Sequence, residues 1–427
     1  GPTAGSQTFR ALRHRNARIY FAGLLVSNIG TWLQLTAMSL LVYDLTGKAT
    51  DLGITVALQF LPMLVLGAWA GAVADRVDRR KMTILTQTAL ALQATALAVL
   101  DLTGTITIEW IYALTFVLGV ISALDNPARR GFVTELVPEE QITNAVSLNT
   151  AVMTGSRIFG PAITATLITT SSTAVLFTIN AASFVALIIP LALIDQSKLY
   201  PPPRLPKGGT PVRDGLRYVR ETPIMLATFV VFVTVSTFGF NYNVSLPRMA
   251  AEVWDDERWY GWMLAAISLG SMLGALATAG RQHVSIRWMA GNGFVLGAFG
   301  IALAWSADPW LALLVSIPVG VGGAGFVASM NAITQQECPP VMRGRIMALT
   351  AVAFLGSYPI GGPITGIIGD EISVQWSLCY GAIITMIATA GLVWWALGRA
   401  SETSRFEALR TLLGASVAAA PNPGERP

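Results

Sequence analysis

Arg157 is the residue most out of place in this sequence. It lies near the middle of the apolar run 142–168, too deep for its side chain to reach either bilayer surface easily. A cation at that depth costs at least about 2.5–3.5 kcal/mol unless it faces water or a partner. It therefore either lines a central cavity and attracts an anionic or electronegative group, or is held by a carboxylate such as Asp44 or by helix carbonyls. Other polar groups are stranded in apolar runs: Asn28, Thr31, Gln34, Gln59, Asn149 and Asn241. Trp32, Phe238, Phe240, Phe326 and Tyr358 could wall a cavity around them. For each amide the alternative is a hydrogen bond to a neighbouring helix.

Chemistry of other kinds has little support. His14 and His283 belong to polar segments, and no apolar run carries a nucleophile–base or metal-ligand spacing, so no cofactor or metal is expected. The phosphate-binding pattern G-x-x-x-x-G-K-[S/T] is absent, which leaves a gradient or a partner as the energy source. Cys338 and Cys379 fall on opposite sides of the expected membrane and cannot pair. All 24 Asp and Glu residues fall in loops or near the ends of runs. Asp44 closes the first run, Asp125 and Glu337 lie near the ends of the fourth and tenth, and Asp125 stands one helical turn before Arg129.

The elements that must position these groups follow from composition. Hydrophobic residues make up 53% of the 427 and charged residues 12%, too few to cover a soluble surface. A hydrocarbon core of about 30 Å takes about 20 helical residues. Runs of that order lie near 17–43, 52–74, 82–102, 108–124, 142–168 and 174–194. A second set lies near 224–246, 260–279, 288–305, 310–334, 346–368 and 374–397. The expected fold is all-α, with twelve transmembrane helices as two pseudo-symmetric six-helix bundles, 17–194 and 224–398. A segment 1–16 precedes them, a linker 195–223 joins them, and a tail 399–427 ends in an Ala/Pro/Gly-rich stretch expected to be disordered.

Orientation follows from the cations. Of the 28 Lys and Arg, all but Lys48, Arg157, Arg248 and Arg258 fall in the N-terminal segment, alternate loops, the linker and the tail. Cations are retained on the cytoplasmic side, so both termini are expected there. In the linker, Val212, Leu216 and Val219 recur at helical spacing between cations, the pattern of an interfacial helix. The halves also match: one offset of 202 residues aligns Glu135, Pro138, Gly160 and Pro161 with Glu337, Pro340, Gly362 and Pro363. Close glycines at Gly67–Gly71, Gly270–Gly274 and Gly293–Gly297 read as packing positions.

The turn Gly71–Lys81 (GAVADRVDRRK) crowds Asp75 and Asp78 with Arg76, Arg79, Arg80 and Lys81 between the second and third runs. Its spacing resembles the loop between helices 2 and 3 of the major facilitator superfamily of transporters, with Asp78 where that family usually has glycine. Ser27-Asn-Ile-Gly-Thr-Trp32, Tyr43-Asp-Leu-Thr-Gly47, Gln59-Phe-Leu-Pro62 and Asp125-Asn-Pro-Ala-Arg129 resemble the branch of bacterial exporters that includes the enterobactin exporter and macrolide efflux pumps. Gly160-Pro161 resembles the helix-bending signature of exporters, with Gly362-Pro363 as its counterpart. The superfamily's drug–proton antiporters tend to carry an arginine where this chain has Thr115, four residues before Gly119.

The resemblance implies a secondary exporter of an amphipathic small molecule, a drug or siderophore-like metabolite, working by alternating access in the bacterial inner membrane. It implies protons as a coupling partner, with Asp44 and Asp125 as candidates, and a monomer embedded in lipid without nucleic acid. It also implies a cytoplasmic gate of Gly71, Asp75, Arg76, Arg79, Asp125 and Arg129. In that gate Asp75 faces the N-terminus of span 11, and Arg79 joins a carboxylate at the foot of span 4. A lipid or lysolipid flippase of the same fold is the alternative, ahead of an intramembrane enzyme or a non-transporting sensor.

Overall fold

The computed structural model describes residues 10–200 and 211–412. The prolines 201–203, the pair Lys207–Gly209 and the end of the tail lie outside them. Fourteen α-helices account for the described residues: α1 Arg15–Thr46, α2 Ala49–Ala74, α3 Arg79–Leu102, α4 Ile108–Glu135, α5 Ile142–Leu167, α6 Thr173–Leu193, α7 Pro211–Glu221, α8 Pro223–Gly239, α9 Tyr242–Glu252, α10 Arg258–Ala279, α11 Ile286–Ala304, α12 Pro309–Glu337, α13 Pro340–Glu371 and α14 Val374–Leu412. With α8 and α9 taken as one broken span, eleven are long and apolar enough to cross a membrane. The exception, α5, has the length at 26 residues but is the helix with the stranded arginine and many hydroxyls. Packed between α1 and α10, it is shielded from lipid on two sides.

Helix limits depart from expectation in three places. Span 7 breaks at Phe240–Asn241, so α9 starts a new helix with Asn241 at its N-cap. Helix α4 runs on to Glu135 because Asp125 and Arg129 pair within it, so their charges do not end the apolar span. Helix α14 continues through Leu412, well into the expected tail.

Helices α1–α6 pack together as one bundle and α8–α14 as a second, joined chiefly along two seams, α2 against α13 and α5 against α10. Helices α2 and α13 run antiparallel: Thr50 meets Asp370, Gly53 meets Gly362, and Leu64 meets Gly356. Past Leu64 the seam ends, and Gly67 and Gly71 have nothing within 4 Å. On the other seam a Cβ on Gly261 would stand 2.5 Å from the Pro161 carbonyl oxygen, whereas Gly155 faces open space. The bundles therefore touch at the face where α2 begins, the far face, and part toward the face that carries the α2–α3 turn, the near face.

Packing glycines divide the same way. Gly270 and Gly274 lie against the backbone of α12, and Gly293 and Gly297 against Thr389 and Met386 of α14, but Gly67 and Gly71 are unpacked. The linker helix α7 docks on the second bundle, with Val219 buried and Asp214 paired to Arg345 at 3.0 Å. Both cysteines are buried and free.

Candidate functional site

A cavity of about 380 Å³ lies between the bundles. Its upper end is formed by Met38, Ser39 and Leu264, and its lining descends along α10 and α12 to Ala275 and Asn331 near the opening. Arg157 reaches it from α5, and Trp32 from α1. The guanidinium carbon sits 5.0 Å from the centroid of the Trp32 ring, a cation–π contact that stabilises a partly exposed charge by about 0.5–1 kcal/mol. Gly160 allows this: a Cβ there would collide with that of Trp32. Asp44 does not pair with Arg157, and no ion pair to Arg157 forms among the described residues.

The same cavity carries an aromatic wall. Phe60 of α2 stacks on Tyr358 of α13 at 4.5 Å, Tyr358 meets Phe354 edge-on at 5.8 Å, and Phe354 meets Phe240 at 5.4 Å. The first contact crosses between bundles. Polar groups on the lining are neutral: Thr55, Gln59, Thr115, Asn243, Ser268, Ser271 and Asn331 among them. Thr115, the residue in place of the antiporters' arginine, has a buried hydroxyl with no partner.

Of the expected binding residues, Arg157, Gln59 and Tyr358 line this cavity, and so do Trp32 and Phe240. Asn28 and Gln34 do not; they cross-link the interior of the first bundle. Asn28 accepts from Arg129 Nη1 at 3.1 Å, while Gln34 donates to Gln93 at 3.2 Å and accepts from Asn180 at 2.7 Å. Span 1 is enclosed by protein on nearly all sides, so its amides find helix partners without turning to the cavity. Thr31 donates to Ser27 O of its own helix. Asn149 is half-buried on α5 away from the lining. Asn241 donates to Thr237 O at the helix break. Phe238 packs edge-on against Tyr380, and Phe326 is fully buried, stacked on Phe232. Missed residues include Phe60, Phe354 and Asn331; an amide inside an apolar span is the same signal that pointed to Gln59.

The far face is clasped. Lys48 at the N-cap of α2 offers no capping side chain. The cap comes from the other bundle: Asp370 accepts from Ala49 N and Thr50 N at 2.9 Å each and from Thr50 Oγ1 at 2.6 Å. A carboxylate is favoured there by the exposed amides and the helix dipole. Arg248 donates to Asp370 at 2.8 Å and to Glu252 at 2.7 Å, and Tyr43 donates to Glu252 across the bundles at 2.6 Å. Beside the clasp, Asp44 of α1 and Glu257 at the start of α10 share a hydrogen bond between carboxyl groups. Burial first, then the Asp44 charge and that hydrogen bond, push Glu257 up to about 7. Next to it Asp256 is held below the usual carboxylate range, chiefly by the side chain of Arg258.

At the near face no ion pair among the described residues crosses from one bundle to the other. Arg79 bridges Asp75 at 3.3 Å and Glu135 at 3.0 Å, the latter at the foot of span 4. Asp75 is exposed, and no ion pair or hydrogen bond joins it to span 11 among the described residues. Arg76 is exposed. Asp78 caps α3 by accepting from Lys81 N, which accounts for an acid where the family has glycine. Arg80 caps α6 by donating to Leu191 O and Ala192 O. Asp125 is buried and fully engaged, by Arg129 Nε at 2.7 Å, Thr86 Oγ1 at 2.7 Å and Gln87 Nε2 at 3.0 Å.

Residues 6–419 match the family model described as transmembrane secretion effector. The chain is 26% identical over 382 residues to the multidrug efflux pump Tap of Mycolicibacterium fortuitum, covering 84% of this chain and 90% of Tap. It is 23% identical over 386 residues to macrolide efflux protein A of Streptococcus pyogenes, covering 86% and 93%. It is 24% identical over 364 residues to the enterobactin exporter EntS of Shigella flexneri, covering 83% and 85%. Among solved structures, a bacterial homologue of the human lysosomal transporter Spinster, in an inward-facing unoccupied conformation, superposes with a TM-score of 0.68. The identity is 14%, over 88% of this chain and 95% of that one.

Proposed function

The chain belongs to the transmembrane secretion effector family of the major facilitator superfamily, and on that premise we propose that it is a proton-coupled secondary exporter. It carries an amphipathic small molecule, drug or siderophore-like, out of the cytoplasm by alternating access. The activities the relatives are named for, multidrug efflux, macrolide efflux and enterobactin export, support export as the direction. The observation that carries the reading is a cavity between two bundles that are clasped at one end and parted at the other. The distribution of Lys and Arg supports reading the parted face as cytoplasmic, with both termini on that side of the bacterial inner membrane. This structure is then the cytoplasm-open state, and the far face is the outer one.

Of the two coupling candidates, Asp44 is the better placed. It lies against Glu257 of the other bundle, so outward opening separates the two and changes the proton affinity of Glu257. Asp125 is fixed by an arginine and two neutral donors inside one bundle and serves as a brace. The chain works as a monomer, each copy holding a complete cavity.

Everted membrane vesicles with an imposed proton gradient test the reading. Substrate found by comparing metabolites of cells lacking and overproducing the protein should accumulate inside them and discharge the gradient. Accumulation without proton movement removes the coupling, and uptake of lipid headgroup analogues alone points to a flippase.

A further inference from the structure

We infer that the central cavity selects planar aromatic anions and rejects cations. The inference rests on the exporter reading only for the substrate's direction of travel; the selectivity follows from the lining. Among the described residues Arg157 is the only cation or carboxylate on that lining, so the site carries an uncompensated positive charge. A cationic drug meets no carboxylate there and is repelled by the guanidinium, leaving only ring faces to attract it. The guanidinium is already parked over Trp32, which fixes its position while leaving its edge donors unused. An arriving carboxylate, sulfonate or phenolate can take two of those donors side by side.

The rest of the substrate is dictated by the aromatic wall. Phe60, Tyr358, Phe354 and Phe240 form a continuous aromatic surface that spans both bundles. A flat ring laid on it gains offset-stacked or edge-to-face contacts that an aliphatic chain does not. Gln59 and Asn331 add neutral hydrogen-bonding groups suited to hydroxyls or amides on the ring. Because Phe60 and Tyr358 belong to different bundles, a ring held there touches both parts that must move against each other. That makes the aromatic portion the element sensed during closure, and the acid group the element that admits the molecule.

Binding to the purified full-length protein in lipid nanodiscs, read by fluorescence anisotropy, tests this with three planar probes. They are coumarin-3-carboxylate, the neutral coumarin-3-carboxamide of the same shape, and the cation ethidium. The carboxylate should bind at least about tenfold more tightly than the carboxamide, and ethidium more weakly than either. Arg157→Gln should erase that preference and leave carboxamide binding within about twofold, while Arg157→Lys keeps part of it. Equal binding of the two coumarins, a preference that survives Arg157→Gln, best binding by ethidium, or no carboxylate binding at millimolar concentration each overturns the inference. Failure of export is a separate result: a protein that binds the carboxylate as described but does not move it across everted vesicles refutes the exporter reading and leaves the selectivity standing.

Discussion

The two ends of the α2–α13 seam carry the same device in opposite states. At the far end, outer on the proposed orientation, the carboxylate that terminates α13, Asp370, caps the uncapped start of α2, and Arg248 clasps it from α9. At the near end, cytoplasmic on that orientation, the carboxylate that terminates α2, Asp75, is exposed and among the described residues pairs with Arg79 of its own bundle. Each of these antiparallel helices ends in an acid on the face where the other begins, so a cap can engage only where the bundles meet. The comparison teaches that closure is bought by helix-end electrostatics on whichever side is shut, and that the idle acid identifies the side that shuts next.

Removing the engaged cap should have the largest effect. Asp370→Ala loses three charge-assisted hydrogen bonds to α2 and leaves Arg248 with Glu252 as its carboxylate partner. Such bonds contribute about 1.5–3 kcal/mol each, so losing even part of the set shifts the open–closed equilibrium of the outer face by about a hundredfold. Spin labels at Leu45 and Ile372, both exposed at that face, should move apart. An unchanged distance would remove Asp370 from the closing mechanism. Disabling the idle cap should come next. Asp75→Asn breaks only an exposed pair worth at most about 1 kcal/mol, so thermal unfolding should hardly change. Transport should still fall about tenfold, because the outward-open state loses its cytoplasmic cap. Wild-type transport by that variant would break the symmetry drawn between the two ends.

Glycines sharpen the same contrast with smaller effects. Gly53→Ala puts a methyl group into the Gly362 backbone and should destabilise the present state, whereas Gly67→Ala meets open space here and should leave it intact. If both lower transport several-fold while only Gly53→Ala opens the outer face, the seam rocks about its middle. If Gly67→Ala is silent in transport, the cytoplasmic ends of α2 and α13 do not close as tightly as the outer ends.

Sequence reasoning reached the seam's cytoplasmic end and missed its outer end, for a physical reason. Asp75 belongs to a dense charged turn that stands out in any reading, while Asp370 is one acid at a span end, and its partner is a pair of backbone amides with no sequence signature. The same limit applies in the cavity. Arg157 was legible because a cation in an apolar run has few explanations. Gln34 and Gln59 were not separable, since both are amides in apolar helices and only the packing around each helix decides which one turns inward. The span-7 break escaped because Phe238–Asn241 keeps the run apolar on average while Gly239 and Asn241 weaken the helix locally.

The smallest expected effect concerns protons and separates the outer clasp from the acid pair beside it. Glu257 is pushed up to about 7 while its carboxyl group shares a hydrogen bond with Asp44, and Asp256, itself neutralised by Arg258, adds a weaker push. Opening the outer face exposes Glu257 to water and takes Asp44 away, returning it toward the ordinary Glu range near 4.3. The closed state therefore holds more protons between those two values. Its extra stability is fully present below the lower one and is lost as pH rises through about 7. The Leu45–Ile372 distance distribution should shift toward open between pH 5.5 and pH 8, a window set by those pKa values. Glu257→Gln, which keeps a hydrogen-bond donor for Asp44 and cannot ionise, should stay closed at both. A pH response that persists in that variant would move the sensor to the Asp370–Arg248 clasp, and with it the place where the two ends of the molecule differ.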